Sequence, residues 1–185
     1  TRRVLLFAHW DCRPYSDHDP DAANHRKPVD GADDGASGVG VLLEIARQLG
    51  QKAPQVGVDI LFCDAEDYGT PEFVDSYKPD TWCLGTQFWV KNPHVKGYKA
   101  EFGILLDMVG GRNATFFREF QSQRAAAPIL EMVWSKARDL GYGKYFINAE
   151  GGAITDDHQY VISGLRIPSI DIINYDPDSK TGFAP

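Results

Sequence analysis

The acidic residues of this chain recur where its apolar runs end. Val4-Leu5-Leu6-Phe7-Ala8 leads into His9-Trp10-Asp11, and Val58-Asp59-Ile60-Leu61-Phe62-Cys63 leads into Asp64-Ala65-Glu66-Asp67. Phe102-Gly103-Ile104-Leu105-Leu106 stops at Asp107, and the run at 167–173 carries Asp171. Asp33 and Asp34 stand just ahead of a helical pattern. Carboxylates and an imidazole gathered at one place repel unless a cation or shared protons relieve them. A divalent metal is the economical solution. The adjacent pair Glu66-Asp67 leaves a strand with its side chains pointing in different directions. One can then bind the metal while the other serves as a general base. Oxygen ligands with one imidazole suit catalytic zinc, which keeps a position open for water or substrate.

Such convergence requires a scaffold that brings strand ends together. The four apolar runs read as strands, the first and third nearly continuous, as in a mostly parallel sheet covered on both faces. Pro168 fits the start of the last strand better than its middle. Between them, Val39, Leu42, Leu43, Ala46 and Leu49 repeat at helical intervals over 36–49, where Gly50 can close the helix. Ile129, Val133, Ala137 and Leu140 do the same over 125–140, ahead of Gly141. This is the signature of a layered α/β domain, whose ligands bind at the carboxyl ends of the strands. Two long loops are expected at 11–34 and 68–97, the second ordered by its aromatic residues.

Each acid also has a plainer reading. Asp33 or Asp34 suits a helix N-cap, and His9 suits a hydrogen-bonded structural role. Asp107 suits a strand end that accepts backbone hydrogen bonds, and Glu66-Asp67 suits a solvated loop. All must hold independently for the metal reading to fail. Trp10, Trp82, Phe88 and Trp89 fit a pocket wall, and fit core packing better.

With 185 residues the chain is about one domain long. Its 26 acidic against 19 basic residues argue against a nucleic-acid surface, which needs clustered cations. No apolar stretch approaches the roughly 20 residues of a membrane span. Thr1-Arg2-Arg3 leads straight into a strand with no secretory signal, so the chain is expected to be cut from something longer. Cys12, Cys63 and Cys83 form no CxxC pair; one disulfide is possible, and Cys63 reads as a small buried hydrophobe.

The stretch Gly31-Ala32-Asp33-Asp34-Gly35-Ala36-Ser37-Gly38 resembles the metal-binding segment of the M28 zinc aminopeptidases. His9-Trp10-Asp11, Ala65-Glu66-Asp67 and Leu106-Asp107-Met108 match that family's other motifs in order and spacing. Within it, Gly151-Gly152-Ala153-Ile154-Thr155-Asp156-Asp157-His158 is most similar to the glutaminyl-peptide cyclotransferases (glutaminyl cyclases), because aminopeptidases usually carry Ser or Thr where Asp156 stands. The resemblance implies a three-layer α/β/α fold with a mixed, mostly parallel central sheet. It implies a zinc enzyme that converts the N-terminal Gln of a peptide or protein to pyroglutamate and ammonia. Asp34 and Asp67 match zinc ligands, Glu66 the general acid/base, and Asp107 and Asp156 the aspartates around the reacting amide. His9 matches a ligand of a second metal in dinuclear aminopeptidases, a site normally empty in cyclases.

Two positions depart from the cyclase pattern: Asp67 stands where Glu is usual, and Asp171 where His is common. The third zinc ligand of the family, a His often preceded by Trp, has no match in His18, His25, His94 or His158 and is expected beyond Pro185. The resemblance therefore implies a single catalytic-core domain over residues 1–185, truncated at both ends, from an exported protein. Two rival functions remain: a two-metal aminopeptidase using Glu66 to activate water, and a catalytically silent binding module on the same fold.

Overall fold

Each apolar run becomes a strand in the computed structural model, which describes residues 2–179 and 182–183. Thr1 and Pro185, the expected cut ends, lie outside the described residues. The strands are β1 (Arg3–His9), β2 (Gly57–Cys63), β3 (Gly103–Asp107) and β6 (Ser169–Ile173), with Pro168 directly before β6. They form one sheet in the order β2-β1-β3-β6, parallel throughout. A second parallel pair, β4 (Phe116–Arg118) and β5 (Phe146–Glu150), meets the chain just after β6 through an antiparallel bridge between Phe116 and Asn174. That bridge makes the arrangement mixed.

Alternation along the strands divides the core in two. Leu6, Ala8, Ile104, Leu106, Ile170 and Ile172 pack on one side with Val39 and Leu42 of α1 (Ala36–Gln51) and with Leu130 and Trp134 of α3 (Phe120–Asp139). Leu5, Phe7, Leu105 and Cys63 pack on the other with Trp89 of α2 (Leu84–Lys91) and with Val161 and Leu165 of α4 (Asp157–Leu165). Helices thus cover both faces, giving the three layers expected. Helix α1 lies so close to the sheet that a Cβ on Gly38 would stand 2.2 Å from the Leu106 carbonyl oxygen.

Several boundaries differ from the sequence reading. Helix α1 runs through Gly50 to Gln51, because one helical glycine costs only about 1 kcal/mol against alanine. Helix α3 begins at Phe120, five residues before the apolar periodicity, because Glu119 accepts hydrogen bonds from the Gln121 and Ser122 amides at 2.9 and 2.6 Å. Pro128 breaks the regularity further on, where Ala126 leaves helical geometry at φ −146°. Within the expected loop at 68–97 lies α2, and the short elements β4, β5 and α4 carried no periodic signal. All three cysteines are free, and Cys63 is buried as expected.

Candidate active site

The strand order reverses at β1, which has β2 on one side and β3 on the other. Crevices form outside the carboxyl ends of strands at such a switch point. Alternation turns His9, at the end of β1, and Asp107, at the end of β3, toward the same face. His9 Nε2 lies 3.1 Å from Oδ1 of Asp107 and 3.1 Å from Oδ1 of Asp34, and its Nδ1 lies 3.5 Å from Asp11.

Asp11 organises the loop that follows β2. Its two carboxylate oxygens accept the Glu66 and Asp67 amide hydrogens at 3.0 and 3.1 Å. Ala65, directly before them, takes a left-handed backbone (φ 53°), and so does Met108 directly after Asp107 (φ 45°). Non-glycine residues held there store strain, which tends to collect at functional sites. The Cys83 thiol donates to Glu66 Oε1 at 3.0 Å. Asp156 caps α4, its Oδ1 accepting the Asp157 amide at 2.5 Å, while its Oδ2 has no hydrogen-bond partner.

Asp34, Glu66, Asp67, Asp107 and Asp156 all line one cleft of about 330 Å³. Its other walls include Arg13, His18, Tyr77, Trp82, Met108, Ile154 and Phe183. Arg13 spans two of the walls. It donates from Nη1 to the Asp67 carbonyl at 3.1 Å, grips Asp17 with Nε and Nη2 at 2.7 and 2.6 Å, and lies 4.8 Å over Trp82.

Burial pushes the Glu66 carboxyl well above the usual carboxylate range, and the charges of Asp156 and Asp67 push it further. Burial raises Asp67 to about 7, aided by Asp34 and opposed by His9. Asp107 is raised by burial against the pull of His9, and Asp156 by burial with Asp171 and Asp107. Burial works against the charged His9 ring, but the carboxylates of Asp107, Asp11 and Asp34 around it hold its proton tightly.

Such a set of groups fits a divalent cation. His9, Asp34 and Asp107 offer ligand atoms within 4.8 Å of one another, and so do His9, Glu66 and Asp67. Asp67 Oδ2 and His9 Nδ1 are buried without a hydrogen-bond partner. Carboxylate oxygens with imidazole nitrogen are the donors that zinc accepts.

The plainer readings of several residues do not survive. Neither Asp33 nor Asp34 caps α1, whose N-cap is Gly35 at φ 90°; Asp33 instead accepts the Gly110 amide at 2.7 Å. Of the four aromatic residues considered for the cleft wall, Trp82 lines it. Trp89 packs in the core, whereas Trp10 and Phe88 are 62% and 67% exposed. The sequence reading assigned no role to Asp11, Arg13 or Cys83. Only Asp11, two residues after His9 in the same motif, carried a signal that marked it.

Comparison with known proteins follows the same lines. Peptidase family M28 matches residues 1–183. A Zn-dependent exopeptidase from Parabacteroides distasonis is 81% identical, with a TM-score of 0.98 over 99% of this chain and 63% of its own. Tannerella forsythia glutaminyl cyclase is 75% identical, with a TM-score of 0.96 over 100% of this chain and 63% of its own. The alkaline phosphatase isozyme conversion protein of Escherichia coli is 33% identical over 98% of this chain and 52% of its own length. The chain therefore spans between about half and two thirds of these relatives.

Proposed function

The chain belongs to peptidase family M28, and from that premise we propose that it is the catalytic-core domain of a glutaminyl-peptide cyclotransferase. The substrate is a peptide or protein with N-terminal glutamine, and the products are the pyroglutamyl peptide and ammonia. One observation carries this reading over hydrolysis. A buried third carboxylate, Asp156, joins Glu66 and Asp107 at the cleft, where the aminopeptidases usually have a hydroxyl. The 75% identity to the Tannerella forsythia glutaminyl cyclase supports it.

Asp34 and Asp67 would hold zinc, which when bound supplies an electrophile for the side-chain amide oxygen and the negative charge that develops there. Glu66 takes a proton from the α-amine as the amine nitrogen bonds to the side-chain amide carbon. It returns that proton to the nitrogen that leaves as ammonia when the original C–N bond breaks. Asp107 and Asp156 accept hydrogen bonds from the N–H groups on either side of this transfer. Both reacting groups belong to one substrate, so a cleft that holds glutamine folded back removes much of the entropic barrier. Trp82, Tyr77 and Ile154 supply apolar wall around it.

The cluster of His9, Asp34 and Asp107 favours a second reading, a two-metal aminopeptidase in which Glu66 activates water. Product analysis separates the two. The zinc-loaded full-length protein, given a Gln-initiated peptide, should release ammonia and leave the chain length unchanged. Release of free N-terminal amino acids without ammonia would replace cyclisation by hydrolysis. The formal charge of −7 weighs against nucleic acid as a partner. Among the described residues no helix is long and apolar enough to cross a membrane. An exported location, which the family likeness implies, belongs to the same proposal.

A further inference from the structure

Behind the cleft lies a sealed group of ionisable side chains that the reaction above leaves unused. Glu119 at the start of α3, His158 in the first turn of α4 and Asp171 in β6 are each no more than 1% exposed. His158 stands between the two acids, its Nε2 3.3 Å from Glu119 and its Nδ1 3.8 Å from Asp171. Glu119 is itself fixed, since its Oε2 accepts the Ser122 amide at 2.6 Å and the Ser122 hydroxyl at 2.7 Å. The same hydroxyl oxygen accepts the Asp171 amide at 2.9 Å, which ties β6 to the α3 cap. Neither oxygen of the Asp171 carboxylate has a hydrogen-bond partner, and Asp156, His158 and Asp171 offer polar atoms within 4.8 Å of one another.

A carboxyl group this deep requires a partner; Asp156 and His158 lie within that range of Asp171, and the charges of Asp107, Glu119 and Glu66 also bear on it. Without a cationic or donating group behind it, Asp171 repels the carboxylate of Asp156. Asp156 is anchored at one oxygen alone, and its other oxygen is buried without a hydrogen-bond partner. A neutral imidazole can donate to one neighbour, an imidazolium to both. Both ring nitrogens of His158 are buried without a hydrogen-bond partner at these distances. We propose that His158 is a positioning residue, set between Glu119 and Asp171, that through Asp171 fixes the orientation of Asp156 in the cleft. The inference rests on the role given to Asp156 above.

The test uses the full-length, zinc-loaded protein and steady-state cyclisation of a Gln-initiated peptide. His158→Gln should lower kcat about tenfold or more, as loss of an outer partner does, with KM within about twofold and zinc per chain unchanged. Asp171→Leu should show the same split. Asp171→Asn, which keeps an acceptor for His158 and a donor for Asp156, should recover most of the lost kcat. This Asn-over-Leu recovery decides the matter if His158→Gln does not fold. A folded His158→Gln with wild-type kcat overturns the proposal, as does equal loss in the Asn and Leu variants. Loss of one bound ion per chain in His158→Gln also overturns it, because Asp156, His158 and Asp171 would then be ligands. A wild-type protein that turns over while the variants match it refutes this inference alone; one that releases no ammonia removes the cyclase reading and this inference with it.

Discussion

Arg13 touches two aspartates, and their fates diverge. It grips the Asp17 carboxylate with two N–H groups and, with burial opposing, Asp17 sits low, at about 2. It reaches Asp67 only through the backbone carbonyl, and that carboxylate, buried beside Asp34, is pushed up to about 7. The Glu72 amide completes the Asp17 site at 2.9 Å, whereas Asp67 keeps a buried oxygen with no hydrogen-bond partner. A paired carboxylate braces the loop between β1 and α1. An unpaired one costs stability and leaves a ligand atom for a cation, as functional sites commonly do.

The sharpest way to break this contrast is at Glu66, where burial also pushes the carboxyl up although the Cys83 thiol donates to it. Glu66→Gln should lower turnover at least about 100-fold while zinc per chain, read by metal analysis, stays unchanged. An unaltered rate would remove Glu66 from the chemistry. Asp67→Asn should weaken zinc binding by at least about 100-fold, beyond the loss of an outer partner. Relief of the buried charge, and of its repulsion by Asp34, should also stabilise the metal-free protein by about 1 kcal/mol or more, seen as a higher Tm after chelation. A lower Tm would mean that Asp67 is paired after all.

Asp17→Asn should do the reverse and cost about 2 kcal/mol at neutral pH, measured by urea unfolding. The sign follows from a folded value below the ordinary carboxylate range. The stabilisation is complete above about pH 4 and disappears as pH falls through about 2. The gap between wild type and variant should therefore close over that window; a constant gap would make the contribution one of shape alone. At the small end, Glu44 pairs with Arg47 on the open face of α1 at 2.7 Å. Glu44→Ala should leave Tm unchanged, since exposed pairs of this kind contribute little.

The four strands of the main sheet were legible because their apolar runs are long enough to show a pattern, and because acids at their ends have no packing reason to be there. Helices α2 and α4 were not. At 8 and 9 residues they are too short for a periodic signal. Burial of one side against β1 and β3 holds them. Helix α3 began earlier than its apolar repeat because a side-chain cap, Glu119, set its start. Asp171 was legible as a departure from a family pattern, but its neighbours were not. Glu119, Ser122 and His158 come from segments with no sequence relation to it.

The order of apolar runs and the acids that end them are properties of the chain itself. They were enough to give a parallel α/β sheet and to collect His9, Glu66, Asp67 and Asp107 at one edge, because strands alternate with a period of two and parallel strands share a direction. Which carboxylates remain unpaired was decided only by the folded molecule. Arg13 meets Asp17 rather than the Asp67 side chain, and His158 lies between Glu119 and Asp171, through contacts measured in ångströms between residues far apart in sequence. Charge energies change steeply over such distances and with burial, and no local pattern in the sequence encodes either.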